Sequence, residues 1–142
     1  MRLNLLITAI AVSGLAGCGA APHGPEPVPV DRVNCARCGM LISSEANAAQ
    51  SRATGQATRF YDDIGCLAAD PAARTEETQR YVRLVSGGWA TTEAAHFARS
   101  QRAQTPMDYG ILAFGTAEEA RANDADKQAR NWLSIVTLAE TR

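Results

Sequence analysis

The sequence predicts an α+β fold with mixed or antiparallel sheets. Short runs rich in branched and aromatic residues, each bounded by turn residues, recur along the chain and indicate strands. Two further segments open with helix N-cap signals. The elements follow the order strand, strand, helix, strand, and a similar order begins again near residue 90. The sequence therefore predicts two weakly similar units, without a repeat of fixed period.

The N-terminus has the layout of a bacterial secretory signal. Arg2 precedes an apolar run over residues 3–12, and Leu15-Ala16-Gly17-Cys18 follows. These four residues resemble a lipobox, which implies a signal peptide at residues 1–17 and a lipid on the Cys18 thiol. An ordinary signal peptide that leaves Cys18 free is the alternative. No later segment approaches the roughly 20 apolar residues that a membrane span needs.

A proline-rich linker over residues 18–32 should separate this tether from the folded domain. Residues 20–29 hold four of the six prolines, which exclude a helix or a central strand. The domain is predicted at residues 33–142, with units at about 33–88 and 89–142. Without residues 1–17 the chain keeps 13 basic and 15 acidic residues and no basic stripe, which argues against a nucleic-acid partner.

In the first unit, a helix is predicted to begin at Ile64 with Asp63 as its N-cap. Cys66 then lies in the first helical turn, where the helix dipole favours a thiolate. Asp70-Pro71 should end this helix, and residues 75–80 should form charged surface. Strands are expected at residues 40–42, 48–53, 57–61 and 81–85, with a hairpin turn at 54–56.

The second unit follows the flexible pair Gly87-Gly88. Residues 93–99 contain alanines that favour a helix, but their alternation favours a strand, which we predict. A capping box at residues 116–119 should open a helix that extends to about residue 128. Further strands are expected at residues 110–114 and 132–138.

The number of cysteines limits how the thiols can pair. Secretion implies an oxidising compartment, yet lipidation of Cys18 leaves three thiols, Cys35, Cys38 and Cys66. An odd number cannot pair fully within one chain. At least one thiol should therefore be free, metal-bound or intermolecular.

Cys35-Ala36-Arg37-Cys38-Gly39-Met40 places two thiols and a thioether within six residues. Soft sulfur donors of this kind favour Cu(I). In a strand, Cys38 and Met40 would face the same side and reach one ion. The alternatives are a disulfide between Cys35 and Cys38, and Met40 as core filler.

Other candidate ligands lie farther along the chain. Met107 occurs in a turn-like Pro/Gly segment and is predicted as a ligand, with core packing as the alternative. Cys66 is either a third thiolate or a small buried residue, and burial is favoured. His96 is expected to be packed or exposed. Asp62 and Asp63 are interpreted as a cap and its neighbour, with an outer-shell role open.

Other chemistries find less support in the sequence. Cys35-x-x-Cys38 has the spacing of one zinc knuckle, but the second knuckle is absent, so Cys66 and His96 would have to complete the site. A redox CxxC motif normally follows a strand and opens a helix, whereas this one follows a linker. GxSxG, HExxH and phosphate-loop motifs are absent. We therefore expect a protein that is not an enzyme.

Taken together, these motifs resemble the NosL family of copper-binding lipoproteins, which accompany nitrous oxide reductase. The resemblance covers nearly the whole chain after the signal. The matching features are the lipobox at Cys18, Cys35-x-x-Cys38-Gly39-Met40, residues 60–67 (Phe-Tyr-Asp-Asp-Ile-Gly-Cys-Leu), Trp89, Pro106-Met107 and residues 110–114.

The resemblance implies two small ββαβ-like units and a Cu(I) chaperone. The implied ligands are Cys38, Met40 and Met107, with Cys35 or Cys66 assisting. The implied partners are the membrane, through the lipid anchor, and a copper enzyme, namely nitrous oxide reductase or its assembly machinery in denitrification.

The same resemblance implies a lipoprotein that faces the periplasm. Gly19 after the lipidated cysteine favours the outer membrane. The alternative function is a periplasmic thiol-disulfide protein that uses Cys35 and Cys38. The sequence leaves open whether these two cysteines form a disulfide.

Overall fold

The computed structural model describes residues 24–142, which form helices and antiparallel sheets. This confirms the predicted α+β class. The predicted signal, Cys18 and residues 19–23 of the predicted linker lie outside the described residues. Within residues 24–142, no helix has both the length and the apolar character needed to cross a membrane.

The larger sheet has four strands in the order β2-β1-β3-β4, and all neighbours are antiparallel. Its strands are β1 (Ala49–Ala53), β2 (Arg59–Tyr61), β3 (Thr78–Arg83) and β4 (Trp89–Thr91). The hairpin between β1 and β2 was expected, and Gly55 in it adopts a φ of 73°, which glycine reaches without steric cost. β3 begins at Thr78, so the segment predicted as charged surface supplies the start of this strand.

The smaller sheet pairs β5 (His96–Arg99) with β6 (Ile111–Phe114). Both strands were predicted, and Phe97 is buried while His96 is half-buried, as alternation requires. The N–H group of Val85 donates a hydrogen bond to the carbonyl oxygen of Ala113. This contact attaches the small sheet to the chain just after β3.

Helix α1 (Ile64–Ala69) spans the predicted helix. The Asp63 carboxylate caps it and accepts a hydrogen bond from the Gly65 N–H at 2.8 Å. Asp70 ends the helix and caps a single 3₁₀ turn, Pro71–Ala73. Residues 64–68 are all buried, so α1 is a core element and carries Cys66 into the interior.

Helix α2 (Ala117–Asn123) begins at the predicted capping box, where the Thr116 hydroxyl accepts a hydrogen bond from the Glu119 N–H at 3.3 Å. It ends at Asn123 instead of near residue 128. The reason is Asp124, whose carboxylate accepts hydrogen bonds from the following chain and turns it away from the helix axis.

The predicted strand at residues 132–138 is wrong, because Trp132–Glu140 form helix α3. Asn131 caps this helix and accepts a hydrogen bond from the Ser134 N–H at 2.9 Å. The helix packs against α1, and this burial outweighs the β propensity of its branched residues. The first unit has the order β1-β2-α1-β3, whereas the second ends in two helices and lacks a closing strand.

A single main core extends across both sheets. Its buried side chains include Tyr61, Ile64 and Leu67 from the first unit and Phe97 and Ile135 from the second. The chain before residue 33 also contributes. Val28 is buried in this core, and the backbone of Glu26 exchanges two hydrogen bonds with the Gln50 side chain. The later part of the predicted linker therefore packs on the domain.

Candidate metal centre

Three thiols and one carboxylate converge at one place in the molecule. Cys35, Cys38, Asp62 and Cys66 offer ligand atoms that all lie within 4.8 Å of one another. Cys35, Asp62 and Cys66 are buried, whereas Cys38 is half-buried. The three cysteines are free thiols, so no disulfide joins Cys35 to Cys38. The cluster is closed on its inner side and reaches solvent at Cys38.

Cys35 and Cys38 lie in a tight turn. The strand predicted at residues 40–42 is reduced to an isolated antiparallel bridge between Leu41 and Asn34. The N–H of Cys35 donates to the Met40 carbonyl at 2.7 Å, and the N–H of Gly39 donates to the Cys35 carbonyl at 2.9 Å. Gly39 has a φ of 78°, which breaks the extended backbone between Cys38 and Met40. Cys38 and Met40 therefore do not share the face of a strand.

A hydrogen bond attaches this turn to the larger sheet. The N–H of Ala36 donates to the carbonyl oxygen of Phe60 in β2 at 2.8 Å. The chain then continues from β2 through Asp62 into helix α1, whose first turn carries Cys66. Two segments distant in sequence thus supply the four ligand atoms.

The buried thiols differ in their acidity. A hydrogen bond with the Cys66 thiol, assisted by nearby backbone groups, lowers the pKa of Cys35 to about 4 although burial acts in the opposite direction. The same contact, together with burial, raises the pKa of Cys66. The shared hydrogen bond therefore stabilises one thiolate within this pair of thiols, the form in which a cysteine binds a metal ion.

Asp62 shares this crowded environment. Burial raises the pKa of Asp62 to about 6, and the neighbouring Cys35 acts in the same direction. The Cys38 sulfur lies 3.9 Å from the Asp62 Oδ1 atom, and burial raises the pKa of Cys38. Several groups that become anionic thus share one small volume, which is the arrangement that a bound cation stabilises.

The predicted thioether ligands lie in different settings. Met40 is 49% exposed and follows the half-buried Cys38 in the same turn. Met107 is half-buried and packs against the core that contains Cys35 and Cys66. Its backbone N–H donates to the Asp63 Oδ2 atom at 3.0 Å. Coordination by either sulfur remains a prediction.

Two members of the cluster, Asp62 and Cys66, differ from what the sequence predicts for them. Cys66 is both buried and a member of the cluster. Asp62 was assigned at most an outer-shell role, yet it lies between β2 and the cap of the helix that carries Cys66. Its place in the sequence, next to the helix cap and four residues before Cys66, was the signal that could have identified Asp62 as a ligand. His96 lies outside the cluster, and Cys18 lies outside the described residues.

Comparison with protein-family models and with curated proteins found no match.

Proposed function

We propose that this protein binds one Cu(I) ion through Cys35, Cys38 and Cys66 and carries it as cargo. The convergence of the three thiols within 4.8 Å supports this proposal. Cu(I) is a soft ion that prefers thiolate and thioether ligands. The fold already holds the three sulfur donors close to one another, so the donor set fits the ion without a rearrangement of the chain.

The uneven exposure of the cluster suits a carrier that gives its ion away. Cys35 and Cys66 are buried, so they protect the ion from water and oxidants. Cys38 is half-buried and Met40 next to it in the turn is exposed, so incoming ligands of a recipient can approach on that side. We therefore propose a non-enzymatic Cu(I) chaperone.

We further propose that a lipid on Cys18 tethers the carrier to a bacterial membrane on its periplasmic side. The folded part begins to pack at Glu26, because its backbone pairs with Gln50. Eight residues of chain from Cys18 span at most about 30 Å at full extension, so the domain would stay close to the bilayer. The motif resemblance supports a copper enzyme as client, with nitrous oxide reductase and its assembly machinery as the first candidates.

Anaerobic titration with Cu(I) in the presence of a competing chromophoric chelator tests the proposal. We expect one tightly bound ion in the wild-type protein. Substitution of Cys35, Cys38 or Cys66 by Ser should each weaken binding at least about tenfold, because a thiolate ligand is lost. His96→Ala is the matched control and should leave affinity unchanged, since His96 lies outside the cluster.

The methionines are tested separately by Met40→Ala and Met107→Ala in one protein. Unchanged affinity in this double variant would remove the thioethers from the ligand set and leave a thiolate site. The proposal itself is wrong if the three single cysteine variants bind Cu(I) as tightly as the wild type.

Zn²⁺ is the second candidate, and Asp62 is the observation that favours it. Three cysteines and one aspartate make four ligands, the number that a structural zinc site takes, and zinc accepts carboxylate oxygen. Asp62→Asn should weaken Zn²⁺ binding and leave Cu(I) affinity almost unchanged. Metal analysis after anaerobic purification, with a thiol count, separates both ions from a thiol-disulfide protein, which would be metal-free.

A further inference from the structure

Asp63 uses its two carboxylate oxygens on two different segments. Oδ1 accepts a hydrogen bond from the Gly65 N–H at 2.8 Å and caps helix α1. Oδ2 accepts a hydrogen bond from the Met107 N–H at 3.0 Å, from a residue 44 positions away. The residue is fully buried. A helix cap needs only one of these oxygens, so the second bond has a different role.

The segment that Asp63 holds has its own internal structure. We call residues 105–110 the Met107 loop. The Thr105 hydroxyl accepts a hydrogen bond from the Gly110 N–H at 3.1 Å, and the Thr105 carbonyl accepts one from the Asp108 N–H at 2.9 Å. At Gly110, where φ is 66°, an added Cβ would lie 2.5 Å from the carbonyl oxygen of Ser100. The loop therefore has a defined shape, and its docking contacts decide where Met107 lies.

Tyr109 provides the second docking contact of the Met107 loop. A Cβ added at Gly65 would lie 2.0 Å from the Tyr109 Cγ atom, so the ring packs directly on the backbone of α1. The Arg142 guanidinium stacks 5.2 Å from the centre of this ring and also donates to the Asp108 carbonyl. The loop is thus held against the first turn of the helix that carries Cys66.

We infer that Asp63 is a positioning residue that holds the Met107 loop against the thiol cluster, so that the Met107 thioether can serve the bound Cu(I). This inference rests on the proposed function. Asp62 and Asp63 are neighbours with divided tasks: Asp62 belongs to the cluster, whereas both oxygens of Asp63 are engaged by N–H groups. Asp63 acts through the loop and not as a ligand.

Asp63→Asn is the main test. Asparagine caps helices as well as aspartate does, but it offers one acceptor oxygen in place of two, so one of the two N–H groups loses its partner. We expect Cu(I) affinity to fall about tenfold, in the range found when groups that orient metal ligands are removed. Met107→Leu should cause the same loss. The double variant should lose no more than either single variant.

A spectroscopic measurement separates positioning from general destabilisation. In selenomethionine-labelled protein carrying Met40→Leu, Cu K-edge absorption should show a selenium neighbour of copper. Asp63→Asn in this background should remove that neighbour. Gly65→Ala is a second variant that keeps the Asp63 carboxylate but displaces Tyr109, and it should have the same effect.

Asp124→Asn is the matched control. Asp124 is another buried carboxylate that accepts backbone hydrogen bonds, but it lies after α2 and outside the thiol cluster. This variant should lose stability and keep its Cu(I) affinity and its selenium neighbour.

Three results would each overturn the inference. The first is wild-type Cu(I) affinity in Asp63→Asn, and the second is a double variant whose loss of affinity equals the sum of the losses in Asp63→Asn and Met107→Leu. The third is the absence of a selenium neighbour of copper in the labelled Met40→Leu protein. Failure of the proposed function has a different signature: the Cys35→Ser, Cys38→Ser and Cys66→Ser variants would then each bind Cu(I) as tightly as the wild type, and both proposals would fall.

Discussion

Asp124 shows how one fully buried charge organises its surroundings. Its side chain is 0% exposed and accepts hydrogen bonds from the Arg130 guanidinium at 2.7 Å and from the Arg99 N–H at 2.8 Å. Burial alone would raise the pKa of Asp124, but these bonds and others from the backbone of residues 126 and 128 lower it to about 2. The carboxylate thereby joins the end of β5 to the chain between α2 and α3.

Asp124→Asn should lower the free energy of unfolding by about 2 kcal/mol at pH 7. The pKa of Asp124 is lower in the folded than in the unfolded state, so its ionisation stabilises the protein above about pH 4, and this contribution disappears as the pH falls from about 4 to about 2. Urea unfolding at pH 7 and pH 3 should therefore show a smaller difference between variant and wild type at the lower pH. An equal difference at both pH values would contradict this account.

Glu76→Gln is the control for this measurement. The Glu76 side chain is exposed, and its substitution should change stability by no more than about 0.5 kcal/mol at either pH.

Among the residues of the metal centre, the three thiols were easier to predict from the sequence than the Asp62 carboxylate. Sulfur chemistry and an odd count made Cys35, Cys38 and Cys66 candidate ligands without structural knowledge, although burial was the favoured interpretation of Cys66. Asp62 has no such signal in its own chemistry, because most aspartates are exposed or serve as caps. Its membership depends on the path of the chain between β2 and α1.

Helix α3 shows how packing selects an element against local propensity. Its sequence, with Ile135, Val136 and Thr137, is typical of a strand, but branched residues cost only a few tenths of a kcal/mol in a helix. Complete burial of a large aliphatic side chain contributes roughly 1.5–3 kcal/mol. Ile135 is 0% exposed, and the Trp132 ring lies 5.9 Å from the ring of Phe97 in β5. The free energy gained by burying these side chains therefore exceeds the cost of placing branched residues in a helix.

A pair of alanine variants tests this helix. In a strand, Leu133 and Ile135 would lie on the same face, whereas in α3 Leu133 is 73% exposed and Ile135 is fully buried. Ile135→Ala should destabilise the protein by about 2–5 kcal/mol. Leu133→Ala should stay within about 0.5 kcal/mol. Similar losses in both variants, measured by urea unfolding, would be incompatible with the helix.

The whole molecule brings the metal centre together from two separate segments. Residues 35–38 form the turn beside β2, whereas Asp62 follows β2 and Cys66 lies in the first turn of α1. Cys35 and Cys66 also belong to the main hydrophobic core. An ion held by both segments would therefore link the turn to the core, and it would bind the folded protein more tightly than the unfolded chain.

Cu(I) should accordingly raise the stability of the wild-type protein, by about 2.7 kcal/mol when free ion exceeds the dissociation constant a hundredfold. Cys66→Ser is the informative variant. It keeps Cys35 and Cys38, which can bind the ion in the unfolded chain as well, but it loses the ligand on α1. The increase in stability that Cu(I) causes should therefore be much smaller in this variant. Anaerobic thermal unfolding with and without Cu(I) measures both gains. Equal gains would show that the two segments are not joined by the ion.

The sequence by itself determined the features that depend on neighbouring residues. The cap at Asp63, the capping box at Thr116 and the hairpin glycine at Gly55 act within a few residues, because a cap or turn satisfies backbone groups next to it. The sequence likewise shows which cysteine and methionine side chains are present as soft ligands.

Only the tertiary structure decided three other features: that residues 132–138 are helical, that Gly39 turns the chain between Cys38 and Met40, and that Asp62 joins the thiols. The helix and the position of Asp62 depend on contacts between segments distant along the chain. The turn at Gly39 has local hydrogen bonds, but the bond from Ala36 to Phe60 fixes it against the larger sheet. The burial and hydrogen-bond energies of such contacts exceed the small local propensities from which a sequence is interpreted.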